Sequence, residues 1–185
     1  MPEPRALTVC RLVADDWQSY RAVRLAMLQE SPSAFGSTHA QALLFDEPTW
    51  RQRLGDNVVL LARVGGTPVG SAMYSQHGVT DPSDCALYGM WVDPGCRGAG
   101  VGRALIEAVV GEAMAAGKRR IVLHVVANNK AAAGLYERAG FVATGCTRPC
   151  PLAEQIKETE MELVLGNRIG SAAWERIFGE TRRGG

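Results

Sequence analysis

The spacing of apolar residues along the first third of the chain predicts one strand and two helices. Weak alternation over residues 7–12 predicts the strand. Apolar residues at helical spacing follow it, and the helix that they predict ends before Pro32. A second helix is expected at 46–54, where Asp46 can serve as the N-cap, and residues 31–38 are expected to form a loop.

Three apolar runs in the middle of the chain predict strands, and a helix follows them. The runs 57–64 and 69–75 flank a Gly-Gly-Thr-Pro turn, which indicates a hairpin, and the third strand is expected at 86–92. Apolar residues on one face of the segment 100–116 predict a helix, and Gly117 is its expected C-terminal stop.

The last third of the chain predicts three strands and one helix. Residues 121–126 are apolar at almost every position, which is typical of a strand buried on both faces. The next helix is expected to begin at an Asn129 cap and to close at Gly140. Two further strands are expected at 141–146 and 159–165. Residues 149–158 between them are expected to form a loop.

This order of elements predicts an α/β fold of the α+β type, with one mixed sheet of about six or seven strands. Hairpins come first and a strand–helix–strand unit follows, so helices are expected on both faces of the sheet. One domain is expected over residues 1–165. Residues 166–185 are expected to be a tail whose amphipathic stretch at 174–178 docks on the domain or a partner, or is partly disordered.

Composition and charge narrow the functional classes. The 185 residues are 46% hydrophobic and 21% charged, with a net charge of +1, so no long-range field favours nucleic acid or an anionic membrane. No apolar run approaches the length of a membrane span, and the N-terminus lacks a signal-like apolar stretch, which predicts a cytoplasmic protein. Three histidines and five cysteines are scattered, so no metal site or disulfide framework is expected.

The most informative segment is a glycine-rich turn between the strand 86–92 and the helix 100–116. Gly98, Gly100 and Gly102 allow the backbone to adopt positive φ and to approach a ligand closely. The N–H groups at a helix start bind anions, and neighbouring arginines at 97 and 103 could help to hold a pyrophosphate. The segment lacks the Gly-Lys-Ser/Thr of a Walker loop, and its glycine spacing differs from the dinucleotide-binding fingerprint.

Together with a second motif about 30 residues later, this turn resembles the GNAT superfamily of N-acetyltransferases. The first motif of that family, Val-x-Pro followed by Arg/Gln-x-x-Gly-x-Gly/Ala, is matched by Val92, Pro94, Arg97, Gly100 and Gly102. The second motif, Asn-x-x-Ala-x-x-Leu-Tyr followed by Gly-Phe, is matched by Asn129, Ala132, Leu135, Tyr136, Gly140 and Phe141. The resemblance covers roughly residues 5–165.

The resemblance implies acetyl-CoA as co-substrate, without a metal, in a cleft between two splayed strands. The pantetheine arm would pair with the open edge of the strand before the glycine turn, near a bulge expected at Gly89. A backbone N–H near Met90 or Trp91 would polarise the thioester carbonyl. The implied cofactor-binding residues are Met90, Trp91, Val92, Arg97, Gly98, Ala99, Gly100, Val101, Gly102, Arg103, Asn129, Ala132 and Tyr136.

The resemblance also implies catalytic roles. Tyr136 would act on the cofactor sulfur as general acid, mainly as a hydrogen-bond donor, because a phenol is a weaker acid than a thiol. Many relatives use a Glu before the phosphate loop to deprotonate the amine, and Tyr88 stands at that position here, with Asp84 the nearest acidic alternative. His124 is expected to be a satisfied core residue, and Cys85 is the one thiol close to the predicted cleft.

In this architecture the first two helices and their connecting loop wall the acceptor pocket. The implied residues are mostly aromatic and neutral, which disfavours aminoglycosides and polyamines but leaves amino acids, small amines, amine-bearing drugs and peptide N-termini open. These residues are Met27, Phe35, Gly36, Ser37, Trp50, Tyr74 and Tyr88.

Three functional hypotheses follow. The first is an N-acetyltransferase that acts on a primary amine of a small molecule or peptide by direct attack in a ternary complex. The second is a non-catalytic acetyl-CoA-binding module that has lost catalysis at Tyr88. The third is an interaction protein that dimerises through residues 174–178, and a homodimer is also compatible with the first hypothesis.

Overall fold

One mixed sheet of seven strands organises the chain in the computed structural model, which describes residues 6–151 and 153–165. The strands lie in the order β1-β2-β3-β4-β5-β7-β6, and every neighbouring pair is antiparallel except β4 and β5. This arrangement confirms the predicted fold class. The strands are β1 Leu7–Arg11, β2 Val58–Val64, β3 Thr67–Ser75, β4 Asp84–Val92, β5 Arg120–Val126, β6 Val142–Cys150 and β7 Ala153–Val164.

Two of the helices begin at residues whose side chains cap them, as the sequence predicts. The side chain of Asp46 accepts a hydrogen bond from the Thr49 amide at 3.0 Å, and Asn129 accepts one from the Ala132 amide at 3.1 Å. Within the described ranges, no helix combines the length and apolarity that a bilayer crossing requires. The helices are α1 Trp17–Glu30, α2 His39–Leu43, α3 Glu47–Asp56, α4 Val101–Ala115 and α5 Lys130–Arg138.

Two apolar clusters hold these helices against opposite faces of the sheet. On one face, α4 buries Leu105, Ile106 and Val109 completely, and each such side chain stabilises the fold by about 1.5–3 kcal/mol. On the other face, α1 and α3 pack around Trp50, whose ring meets that of Tyr20 edge-on at 5.5 Å. The predicted placement of helices on both faces is confirmed.

Two segments differ from the prediction. Residues 39–43 form the short helix α2 inside a stretch with no predicted element, where Thr38 supplies an N-terminal capping box. The predicted loop at 149–158 is wrong, because β6 continues to Cys150 and β7 already begins at Ala153. The added part of this hairpin carries mostly polar side chains, and the cross-strand ion pair between Arg148 and Glu158 contributes to it. Its strands therefore lack a hydrophobic signal in the sequence.

A bulge in β4 reverses the direction of its side chains. Ser71 of β3 pairs with Trp91 and Met73 pairs with Tyr88, so a single residue of β3 faces both Gly89 and Met90. Gly89 has φ +58°, a left-handed conformation that favours glycine, which confirms the predicted bulge. The extra residue turns the side chain of Trp91 towards α1 instead of α4.

The two parallel strands at the centre of the sheet separate after a short paired segment. The first three residues of β4 pair with the first three of β5, from Asp84–Arg120 to Ala86–Val122. Beyond Ala86 no described strand pairs with this edge of β4, which leaves its backbone free on the side facing β5. The resulting cleft confirms the predicted splay.

Candidate functional site

Two adjoining cavities occupy the cleft. The first cavity, of about 560 Å³, lies between the free half of β4, the glycine turn and α5. The second cavity, of about 450 Å³, lies between β4, β5, α1 and the segment 34–37. The cavities adjoin along residues that line both of them, which are Ala34, Phe35, Met90, Asn129, Ala132 and Tyr136.

The glycine turn in the first cavity has the backbone geometry of an anion cradle. Gly98 and Gly100 have φ values of +79° and +84°, and Gly100 is the N-cap of α4. A Cβ at Gly102 would lie 2.9 Å from a terminal methyl group of Leu135, so a larger residue there would require that side chain to move. The first N–H groups of α4 have no acceptor within the helix, and they open beside Arg97 and Arg103, which suits a pyrophosphate.

Most of the cofactor residues implied by the sequence line this cavity together. Ala99 and Val101 are the exceptions, and Val101 instead buries its side chain, 2% exposed, in the core beneath α4. The residues that line the cavity are Met90, Trp91, Val92, Arg97, Gly98, Gly100, Gly102, Arg103, Asn129, Ala132 and Tyr136.

A carboxylate at the end of α1, which sequence reasoning missed, fastens the turn. Glu30 accepts hydrogen bonds from the indole Nε1 of Trp91 and from Arg97 Nη2, each at 3.0 Å. The pKa of Glu30 is lowered mainly by a hydrogen bond from the hydroxyl of Ser31, and to a smaller extent by the bond from Trp91. Arg97 also donates from Nε to the carbonyl of Val92 at 3.0 Å, so β4, the turn and α1 are connected around one carboxylate.

Tyr136 lies where the two cavities adjoin. Its ring packs edge-on against Phe141 at 5.7 Å, and the residue is only 7% exposed. Burial raises the pKa of its phenol above the ordinary value, so the hydroxyl keeps its proton at neutral pH. Among the described residues none accepts or donates a hydrogen bond at this hydroxyl, which leaves it available to a ligand in the cleft.

The structure brings only part of the predicted acceptor pocket together. Phe35, Gly36, Ser37 and Tyr88 line the second cavity, and the Tyr88 hydroxyl donates to the carbonyl of His77 at 2.7 Å. The other predicted residues belong to the core. Met27 and Trp50 are 1% and 0% exposed beneath α1 and α3, and Tyr74 faces α4, where its hydroxyl donates to the Glu112 carbonyl.

Two candidate chemical groups lie at the closed end of the cleft, away from both cavities. Asp84 is 5% exposed and accepts a hydrogen bond from Arg120 Nε at 2.9 Å, so the structure does not support its role as general base. Cys85 is fully buried, and desolvation raises the pKa of its thiol to about 11. Neither side chain lines either of these two cavities, because both residues precede the point where β4 and β5 separate.

The second cavity carries charged side chains in addition to the predicted neutral ones. Arg24 and Arg53 line it from α1 and α3, while Arg148 and Glu158 line it from β6 and β7. These residues are far apart in the sequence, and only their arrangement in space identifies them.

His124 also lines the second cavity, which corrects its prediction as a core residue. Its Nε2 lies 3.5 Å from a carboxylate oxygen of Glu160, and its side chain is 16% exposed. Desolvation by burial, the largest influence, lowers the pKa of the imidazole. The neighbouring Leu123 and Val125 face the α4 side, so strand alternation directs His124 into the cleft.

Comparison with known proteins places this geometry in a family. The model of the Acetyltransferase (GNAT) family matches residues 24–141. Over 87 residues the chain is 37% identical to the N-alpha-acetyltransferase RimI of Mycobacterium tuberculosis, covering 47% of this chain and 53% of that protein. Over 136 residues it is 29% identical to a mycothiol acetyltransferase of Cellulomonas flavigena, covering 70% of this chain and 38% of the relative. The chain thus spans about half the length of RimI, and less of the mycothiol enzyme.

Solved structures share the whole fold. An acetyltransferase of the GNAT family from Streptococcus pneumoniae superposes with a TM-score of 0.75 at 22% identity, over 87% of this chain and 100% of that one. YncA, a putative acetyltransferase from Salmonella typhimurium solved with its cofactor acetyl-CoA, gives a TM-score of 0.72 at 19% identity, over 91% and 99% of the two chains. With the splayed cleft, the glycine turn and the family match over most of its length, the chain belongs to the GNAT family of acetyltransferases.

Proposed function

We propose that this protein transfers the acetyl group of acetyl-CoA to a primary amine by direct attack in a ternary complex. The observation that carries the proposal is the junction of the two cavities at Tyr136, beside the free edge of β4. A thioester that enters from the first cavity and an amine that enters from the second would meet there. Holding both reactants in one cleft converts a bimolecular reaction into an effectively intramolecular one.

The first cavity fits acetyl-CoA at two places. The glycine turn offers backbone N–H groups, with Arg97 and Arg103 beside them, to a pyrophosphate. The free backbone edge at Met90–Val92 offers strand-like hydrogen bonds to the amide groups of a pantetheine arm. When bound, acetyl-CoA supplies an activated thioester carbonyl, whose oxygen a backbone N–H on this edge would polarise.

The amine must lose a proton before it can attack, because an alkylammonium group has a pKa of about 10.4. His124 is our candidate for the base, since it lines the second cavity and its pKa lies below the ordinary value, which keeps its ring neutral at pH 7. The carboxylate of Glu160, at 3.5 Å, would stabilise the imidazolium that forms. Tyr88 remains a wall residue, because its hydroxyl already donates to His77.

Tyr136 would stabilise the departing thiolate. Its hydroxyl is protonated, lies at the junction of the cavities, and is free of described hydrogen-bond partners. Because burial raises the pKa of the phenol, complete proton transfer to the sulfur is unfavourable, and a strong hydrogen bond is the better description of its role. It is the role that the family motif implies for this tyrosine.

We expect Tyr136→Phe to lower kcat by roughly 10- to 100-fold, the loss of one hydrogen bond to a charged group, while the Kd for acetyl-CoA changes little. Steady-state kinetics and calorimetry with acetyl-CoA measure the two quantities. Tyr74→Phe is the matched control, because that hydroxyl donates to the carbonyl of Glu112 and Tyr74 lines neither cavity. An unchanged kcat in the Tyr136 variant would remove this residue from the mechanism.

Thermal unfolding with acetyl-CoA tests the proposed function first. At about 100 times its Kd, a ligand stabilises the native state by roughly 2.7 kcal/mol, which raises Tm by about 5–10 °C for a domain of this size. A panel of primary amines is then assayed for release of CoA thiol. Binding without turnover on any amine would favour a non-catalytic acetyl-CoA-binding module, and no rise in Tm at millimolar acetyl-CoA contradicts both functions.

A further inference from the structure

Arg24 is a buried cation at the wall of the second cavity. It is 8% exposed, and its Nη2 donates to the hydroxyl of Ser37 at 2.6 Å. Its guanidinium carbon lies 5.4 Å from the centre of the Phe35 ring, and Nη1 lies beside the bulge at Gly89. Buried arginines normally pair with a carboxylate. In the described part of the chain no carboxylate forms an ion pair with Arg24, and desolvation lowers the pKa of its guanidinium.

Arg53 provides a second, independent observation that points to an anion-binding site. It lines the same cavity from α3, and its guanidinium lies 5.3 Å from the ring centre of Phe45. Its Nε is buried and has no hydrogen-bond partner within residues 6–151 and 153–165. The charge of Arg53 also contributes to the lowered pKa of Arg24, so the two cations are close enough to repel each other. An anion placed between them would relieve both features.

Among the described residues that line this cavity, the one carboxylate is Glu158, which lies on β7 and has its own partner. Glu158 forms an ion pair with Arg148 at 2.8 Å, and Glu160, outside the lining, lies beside His124. The cavity therefore has a cationic wall on α1 and α3, and a wall on β5–β7 that carries the candidate base. A ligand with an ammonium group at one end and an anionic group at the other would match both walls.

We propose that the acceptor is an amino acid, whose carboxylate binds between Arg24 and Arg53 while its amine faces His124. This inference rests on the proposed function and specifies its substrate class. Guanidinium groups suit the recognition of a carboxylate because their donors form paired, charge-assisted hydrogen bonds in a fixed plane. The stacking of Phe35 on Arg24 and the bond from Arg24 to Ser37 hold one of these planes ready for the ligand.

The test compares matched amino acids and amino acid amides on the wild-type protein. The two members of a pair carry the same side chain, and only the acid carries the carboxylate. Because the carboxylate also makes the neighbouring amine more basic, kcat/KM is compared for the free-amine form of each. We expect kcat/KM to favour the acid by about 10- to 100-fold, the range for hydrogen bonds to a charged group. Calorimetry of the same pairs against the protein saturated with CoA gives the corresponding Kd ratio without turnover.

Substitutions in the cationic wall test whether its two arginines cause the preference for the acid over the amide. Arg24→Met and Arg53→Gln are each expected to reduce the acid-to-amide ratio about tenfold or more, through KM and Kd rather than through kcat. Arg51→Gln is the control, since Arg51 belongs to the same helix as Arg53 but pairs with Asp15 and Glu47 outside the cavity. Arg53 is partly exposed, so its variant keeps the proposal testable if the Arg24 variant does not fold.

The outcomes separate this inference from the proposed function. If amides are acetylated with the same kcat/KM as acids, the protein is an acetyltransferase but the proposed carboxylate site is wrong. A ratio that is unchanged in both arginine variants also overturns the site. Peptides with a free N-terminus and an acidic second residue provide a further arm, and a preference for them over free amino acids would overturn the amino acid as acceptor. A protein that acetylates no amine and does not bind acetyl-CoA overturns the proposed function itself.

Discussion

The variant Gly100→Asp is expected to bind acetyl-CoA at least 100-fold more weakly than the wild-type protein. Gly100 is the N-cap of α4, in a left-handed conformation at the mouth of the anion cradle. An aspartate there would place a carboxylate among the N–H groups that are offered to the pyrophosphate, and like charges at such distances repel strongly. Calorimetry with acetyl-CoA measures the loss.

The isosteric variant Gly100→Asn separates charge from backbone strain. Asparagine tolerates the left-handed region better than most residues, and both substitutions cost roughly 1–2 kcal/mol of stability through the same φ of +84°. We therefore expect similar falls in the free energy of unfolding but much tighter acetyl-CoA binding in the asparagine variant. Equal affinities in the two variants would show that charge at this position does not matter, and wild-type affinity in the aspartate variant would contradict the phosphate cradle.

The variant His124→Gln is expected to lower kcat/KM by roughly 10²- to 10⁴-fold near pH 7, the usual contribution of a general base. The pKa of His124 is lowered by burial and by Arg148, and Glu160 and Glu158 oppose that shift. The base is active when its ring is neutral, so kcat/KM of the wild-type protein should fall only when the pH drops below the ordinary histidine range. This fall forms the acidic limb of the pH–rate profile. In the variant the acidic limb disappears, and kcat/KM follows the fraction of substrate in the free-amine form.

Two further variants show whether the effect belongs to this histidine. Removal of the nearby carboxylate in Glu160→Gln takes away an influence that raises the pKa of His124, so the acidic limb should move to lower pH. His39→Gln is the matched control, since His39 lies on α2 and does not line either cavity. If the pH–rate profile of the His124 variant keeps the wild-type limb, another group is the base.

The cofactor side of the cleft could be predicted because its constraints are local in the sequence. Three glycines within five residues, between a strand and a helix start, indicate a turn that uses positive φ, and the structure gives Gly98 and Gly100 positive φ values. The bulge at Gly89 could be predicted for a similar reason, since a glycine inside an apolar strand marks a departure from regular pairing. These features depend on residues that are near neighbours in the chain.

The acceptor side could not be predicted, because contacts between distant segments create it. Arg24, Arg53 and His124 lie on three separate elements, and only the packing of α1 and α3 on the sheet brings them to one cavity. Within β5, apolar residues on both sides of His124 suggest a strand buried on both faces, although the cleft opens on one of them. The mistaken placement of Tyr74 has the same origin, because the sequence did not show which face of β3 met the cleft.

The free edge of β4 has a consequence for self-association. An unpaired strand edge normally invites another chain to add a strand, which leads to aggregation. The outer edges of this sheet are poor templates for such pairing, since β1 has five residues and β6 is interrupted by Gly145, at φ +87°, and by Pro149. The free edge of β4 instead lies inside the sheet, between β3 and β5, where it lines a cavity of about 560 Å³ together with the glycine turn and α5. The fold can thus keep an open edge for binding without the aggregation hazard of an exposed one.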